Sequence, residues 1–274
     1  MSTPTCAQRL HTSLKDLRLP SMRGCFQETA ERARAEVLSY EEYLLELTTR
    51  EQEVRRQHRV ERALRESGLP LEKTLAGLDR TRLPRTVDAH VNALLEGTFL
   101  DRCENVLAFG SPGTGKSHLL CAIGQELVYA DHRVLFRRCD VLVQELLLAK
   151  RELTLPRLLK RWSHYDALVI DDIGYVQQGR EEMEVLFTLL AHRYERGSVM
   201  VTSNLPFSRW EEIFKDPMTT AAAIDRLVHH SVVLELNIPS YRLEASKKRQ
   251  AEAIPGEERT LVNTAAPDEI LTGR

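Results

Sequence analysis

Two textures of apolar and polar positions divide the chain. In residues 39–67, Leu44, Leu47 and Val54 recur at near-helical spacing within a polar, Glu- and Arg-rich stretch. Ser39 followed by Glu42 has the spacing of a capping box that opens a helix, and Gly68 and Pro70 close it. A second helical stretch is predicted over 86–95, ending at Gly97. From residue 105 the pattern changes to short apolar runs rich in β-branched residues: 105–109 (NVLAF), 134–136, 167–170 (ALVI), 199–201 (VMV) and 232–236 (VVLEL). Helical segments separate them, the first over 118–130. That alternation predicts an α/β fold, a parallel sheet flanked by helices. Residues 249–274 carry Pro255, Gly256, Pro267 and Gly273 with many charges and no sustained periodicity, which predicts a disordered tail. No internal repeat is present.

Composition narrows the class only modestly. With 274 residues, 42% hydrophobic and 28% charged, the chain reads as a globular protein with one large domain and a smaller attachment. No apolar run approaches the ~20 residues of a membrane-spanning helix, and residues 1–19 lack the continuous apolar stretch of a secretion signal, so no membrane partner and a cytoplasmic location are expected. The net charge of −2 does not announce a nucleic-acid partner. Five cysteines at wide spacing, without a C-x-x-C pair, predict reduced packing residues. The adjacent His229 and His230 are expected to point apart on a helix and to hold no metal.

The chemistry sits at the strand ends. Gly110, Ser111, Pro112, Gly113, Thr114, Gly115, Lys116 and Ser117 match G-x-x-x-x-G-K-[ST] in full, between an apolar strand and a helix. Glycines let the backbone curl its N–H groups toward a polyphosphate, and the helix N-terminus, from His118 onward, adds its partial positive charge. Lys116 is expected to reach the β- and γ-phosphates of ATP, and Ser117 to supply a hydroxyl to Mg²⁺. Asp171 and Asp172 end the strand ALVI; Asp171 is placed on the Mg²⁺ shell and Asp172 on the attacking water. Asn204, at the tip of VMVTSN, is expected to bond water or γ-phosphate, the competing account being a turn former before Pro206. Arg226, on a helix before the last strand, suits a finger acting on a neighbouring copy's nucleotide; the alternative is an ion pair with Asp225.

Basic residues leave two accounts open. Arg50, Arg55, Arg56, Arg59, Arg62 and Arg65 interleave with acids as a solvated ion-paired face, or form a stripe that meets phosphates. The pairs Arg137-Arg138 and Lys150-Arg151, and Arg157 with Lys160-Arg161, are candidate DNA contacts or ordinary surface. Trp162 and Trp210 follow apolar helical patterns and are expected in the core.

Taken in order, these stretches resemble the IstB family of AAA+ helper ATPases of bacterial insertion sequences, relatives of DnaC-type replicative helicase loaders. The resemblance covers the chain to about residue 248 and rests on NVLAFGSPGTGKSHL, IDDIGY, LFTLLAHRYERGS, VTSNLPFSRW, AIDRLVHH and SYRL. Leu19-Pro-Ser-Met22 and the Arg-rich helix are similar to the family's small helical domain. The resemblance implies a P-loop AAA+ fold with a helical N-terminal domain (1–72), an ATPase domain (73–248) and the tail (249–274). It implies ATP and Mg²⁺ as cofactors, self-assembly on double-stranded DNA, DNA bending, and recruitment of an IstA-like transposase. Lys116 and Ser117 become Walker A, Asp171 and Asp172 Walker B, Asn204 sensor one, Arg226 the arginine finger, and Arg242 a sensor-two-like contact. Two departures stand out: family members often carry Glu where this chain has Asp172, which implies slow hydrolysis, and Leu236-Asn-Ile-Pro239 lacks a glycine commonly seen there. A helicase loader and a non-hydrolysing, ATP-assembled DNA-bending module remain alternatives.

Overall fold

The computed structural model describes residues 4–174, 179–211, 217–244 and 246. Five strands, β1 (Asn105–Phe109), β2 (Val134–Arg138), β3 (Ala167–Ile173), β4 (Ser198–Ser203) and β5 (Ser231–Glu235), form one parallel sheet in the order β2-β3-β4-β1-β5. Because strand side chains alternate between faces, each buried run serves two cores at once. Val106, Ala108, Val134, Phe136, Ala167, Val169 and Met200 point to one side, onto α4 (Arg85–Leu95) and α6 (Lys116–Tyr129). Leu107, Leu135, Leu168, Ile170, Val199 and Val201 point to the other, where α7 (Cys139–Arg151), α8 (Leu155–Trp162), α9 (Arg180–Arg193) and α10 (Pro217–Val228) lie. The predicted strands are present: β1 has the expected bounds, β2, β3 and β4 are two or three residues longer, and β5 starts and ends one residue earlier than expected. The helix predicted over 118–130 opens two residues earlier because Gly115 takes the capping position. A short helix, α5 (Thr98–Asp101), leads into β1.

Upstream, α1 (Cys6–Asp16), α2 (Pro20–Glu36) and the first half of α3 (Tyr40–Ser67) close over a small core of Leu14, Met22, Cys25, Phe26 and Leu47. The Ser39–Glu42 capping box is formed, and α3 ends at Gly68. At ~1.5 Å per residue α3 is about 42 Å long, so its second half reaches the sheet, where Val60, Ala63 and Leu64 pack on the α6 side. Glu51 on α3 is buried and accepts the N–H groups of Ser21 (2.8 Å) and Met22 (3.0 Å) at the start of α2. A carboxylate there satisfies orphan donors and meets the helix dipole. Burial opposes its charge, but the Met22 N–H and Arg55 outweigh it and hold the carboxyl below the usual range.

The chain then crosses to the sheet through 68–84, where Gln125 Nε2 donates to the carbonyls of Pro70 (2.9 Å) and Lys73 (3.0 Å). The boundary expected at 72 and 73 falls in this connector. Residues 249–274 lie outside the described residues. Cys25, Cys121 and Cys139 are buried as expected, and burial pushes the Cys121 thiol up to about 12. Trp162 and Trp210 are core residues. No helix among the described residues is long and apolar enough to cross a membrane.

Candidate nucleotide site

In a parallel sheet the carboxyl ends of all strands share one edge, so β1, β3 and β4 bring the Gly110 loop, the two aspartates and Asn204 together. The loop runs from the end of β1 into α6, with Gly113 at φ 82 and Gly115 at φ 89. At Gly113 a Cβ would also collide with Ser240 Oγ, so both backbone conformation and space demand glycine. Lys116 lies in the first turn of α6, buried, with Nζ donating to the carbonyls of Gly110 (2.7 Å) and Ser111 (2.9 Å). Burial lowers its pKa, and the charges of Asp172 and Asp171 work against that. Ser117 follows, half-buried.

Asp171 and Asp172 need explanation, because consecutive strand residues ordinarily face opposite ways. The β3–β4 register breaks between Ile170 and Ile173, and Asp172 sits at φ 62, a left-handed conformation that Asp tolerates better than most residues. One hydroxyl locks the break: Thr202 Oγ1 on β4 donates to Asp171 Oδ1 (2.6 Å) and accepts the Asp172 N–H (2.8 Å). Asp171 is thus buried while Asp172 opens toward solvent. The protein around Asp172 and the neighbouring Asp171 raise its pKa, against Lys116, Arg138 and Arg242. Thr202 was not among the residues singled out from sequence; its only signal was its place in the TSN run, beside the aspartate strand. Asn204 stands at the same edge, just past Ser203, whose Oγ ties Ile173 O to the Leu205 turn.

A second layer covers the loop. Leu236 N–H donates to Phe109 O (2.8 Å), so the segment lacking the expected glycine simply continues alongside β1. Tyr241 N–H then donates to Gly113 O (3.0 Å), which carries Arg242 over the loop, near enough that its charge acts on both Lys116 and Asp172. Arg82 fastens this segment from the connector. It stacks 3.9 Å from the Tyr241 ring centre, donates to Pro239 O and pairs with Glu244 (2.9 Å). The His118 ring faces that connector, with Nε2 2.8 Å from Thr74 O.

Arg226 is elsewhere. Asn105, the first residue of β1, donates to the carbonyls of Arg226 (3.3 Å) and Leu227 (3.1 Å). At ~3.3 Å per residue this places Arg226 roughly 16 Å from the glycine loop, at the opposite edge of the sheet. Its guanidinium lies 4.4 Å above the Phe187 ring rather than on Asp225. His229 and His230 correct the expectation that they point apart. They occupy a turn beyond the helix end, their rings 4.1 Å apart, and with Glu195 they bring one ligand atom each within 4.8 Å of one another. Of the candidate DNA contacts, Arg137, Arg138 and Lys150 are engaged by Glu145, Asp140 and Glu184.

The donor set fits a magnesium triphosphate: loop amides, a buried ammonium, a hydroxyl at a helix start and a strand-end carboxylate held in one rotamer by Thr202. The chain matches the family model described as IstB-like ATP binding protein over residues 12–251. It is 42% identical over 246 residues to an insertion-sequence ATP-binding protein of Sinorhizobium fredii, covering 88% of this chain and 83% of that one. It is 38% identical to the ATP-binding protein of insertion sequence IS21 from Pseudomonas aeruginosa, covering 87% and 90%. Among solved structures it is similar in fold to AMPPCP-bound DnaA from Aquifex aeolicus (TM-score 0.53, 19% identity, 70% of this chain and 58% of that one). It is likewise similar to DnaI (TM-score 0.50, 22% identity, 63% and 94%). Nucleotide-loop geometry and sequence relationship agree: this P-loop AAA+ chain belongs to the IstB-like ATP-binding protein family.

Proposed function

We propose that this protein is an ATP-hydrolysing helper of an insertion sequence, which assembles with copies of itself on double-stranded DNA and recruits or activates a transposase. The observation that carries the reading is the convergence of Lys116, Asp171, Thr202 and Asp172 on the glycine loop, in a chain whose relatives are insertion-sequence ATP-binding proteins. The loop amides cradle the phosphates, and Lys116 exchanges the carbonyls of Gly110 and Ser111 for phosphate oxygens. Ser117 and Asp171 hold Mg²⁺, which supplies neutralisation of phosphate charge. Asp172 orients water and takes its proton; its lifted pKa brings it nearer to a base's working range. Asn204 and Arg242 would contact the γ-phosphate.

Arg226, at the far edge, serves the nucleotide of a neighbouring copy, a contact worth about 10³–10⁵ in rate where such fingers occur. Residues 1–72 are the helical N-terminal domain, whose α1, α2 and first half of α3, closed over their small core, face partner proteins, and 73–248 are the ATPase. The test is phosphate release and oligomeric size with and without a duplex: both should rise with ATP and DNA together. Turnover and size that ignore DNA contradict the helper reading. Turnover no higher than that of Lys116→Ala favours an ATP-assembled module that does not hydrolyse.

A further inference from the structure

Two basic stretches about 100 residues apart in sequence line one groove. It lies between the second half of α3, the turn from α6 into β2, and α8, and has a volume of about 1060 Å³. Six cations and two carboxylates line it, in a protein whose net charge is −2. The carboxylates are already engaged, Glu66 by Arg62 and Asp131 by Arg56. Among the described residues no carboxylate pairs with the charged side chains of Arg59, Arg133, Arg157, Lys160 or Arg161, Asp166 reaching only the backbone N–H of Arg133. The α8 helix explains half of this. Leu155, Leu158, Leu159 and Trp162 turn into the core, so Arg157, Lys160 and Arg161, three and four residues apart, share the opposite, exposed face. Arg59 and Arg62 share an exposed face of α3 for the same reason.

We propose that this groove binds the sugar-phosphate backbone of one strand of duplex DNA, with cations of both walls meeting its phosphates from either side. The assignment rests on the DNA-binding reading above and adds where the duplex sits: at the edge where β2 and β3 begin, away from the nucleotide loop. Guanidinium groups recognise phosphate through paired hydrogen bonds and are weakly hydrated, so uncompensated arginines on facing walls suit a polyphosphate. Single-strand sites add exposed aromatic platforms, whereas Tyr165, the one aromatic ring of Phe, Tyr or Trp type here, is half-buried and packs against the core. An acidic peptide would want apolar anchorage, whereas Val128 and Val134 on the floor are 1% exposed and the half-buried Val60 and Ala63 are packed against the sheet core.

The test uses the full chain with ATP and Mg²⁺, a fluorescent duplex of about three helical turns, and the matching single strand, over a salt series. Each lost phosphate contact lowers the slope of log affinity against log salt by about 0.9. The variant R157Q/K160Q/R161Q should lose nearly three from that slope and weaken duplex binding at least about tenfold. R59Q/R133Q on the other wall should lose nearly two, while ATP binding by both stays within about twofold of the parent. Slopes equal to the parent's, an equal loss in the distant variant R9Q/K15Q/R34Q, or tighter binding of the single strand than of the duplex each overturn the groove and leave the ATPase reading standing. A parent protein that binds ATP but no duplex overturns both the groove and the DNA-binding reading.

Discussion

Lys116 and Arg193 are long cations 5% and 3% exposed, one at each end of the same sheet, and the difference between them separates site from scaffold. Arg193 donates five hydrogen bonds to the carbonyls of Trp162, Tyr165, Asp166 and Ser198, stapling the end of α8 to the starts of β3 and β4. Burial pulls its guanidinium down to about 10, yet it remains charged at neutral pH. Its acceptors belong to separate elements that other packing already fixes, so no ligand can take their place. Lys116 donates only to Gly110 and Ser111, two carbonyls of its own loop, while two carboxylates act on it from the facing strand. Those two bonds can be exchanged for phosphate without disturbing the sheet. A buried cation whose acceptors come from one short loop is poised for a ligand; one whose acceptors come from three elements is structure.

The largest expected effect separates the two functionally. Lys116→Ala should lower ATP turnover by about 10²–10³ while the free energy of urea unfolding stays within ~1 kcal/mol of the parent; a matched loss of stability would place Lys116 with the scaffold. Arg193→Gln should do the reverse. Four carbonyls lose a charged donor, at a cost of roughly 3–5 kcal/mol in denaturant unfolding, and ATP affinity per folded molecule should survive. Unchanged stability would remove the staple from the account.

Much of this was legible in sequence and some was not, for physical reasons. Strands β1 to β5 show as apolar runs because a parallel sheet buries both faces, and the glycine loop shows because its backbone demands fixed residues at fixed spacing. The pairing of Asp171 with Asp172 through Thr202 does not show: alternation implies opposite faces, and only the register break and the left-handed Asp172 re-aim them. Arg193 ends an amphipathic helix, where a cation ordinarily serves the helix dipole, so nothing local marks it as buried. The groove needed α3 and α8 to be placed side by side, which no local pattern states.

Smaller effects sharpen the same contrast. Thr202→Val removes the hydroxyl that spans both aspartates and should cost about 1–3 kcal/mol; turnover should fall about tenfold, with Thr202→Ser restoring most of it. An unaltered rate would make Thr202 a packing residue. At the other edge, a Cβ at Gly197 would collide with the Arg193 guanidinium, so Gly197→Ala should cost roughly 1–3 kcal/mol, and little on an Arg193→Gln background. Additive losses would contradict that coupling.

The smallest effect is a pH dependence at Asp172. Its folded-state pKa is raised, so its contribution to stability is present when the carboxyl is protonated, below the unfolded pKa, and is lost as pH rises through the folded value. Without nucleotide, Asp172→Asn should therefore gain stability over the parent as pH climbs from about 3.5 toward neutrality. A gap that stays constant with pH would contradict the raised pKa of this carboxyl.

Calorimetric titration of the folded protein with ATP and Mg²⁺ bears on the exchange at Lys116 most directly. One nucleotide per chain should bind, and the same titration of Lys116→Ala should show no heat at matching concentrations. Equal binding by both proteins, or none by the folded parent, would contradict the assignment of the glycine loop as an ATP site.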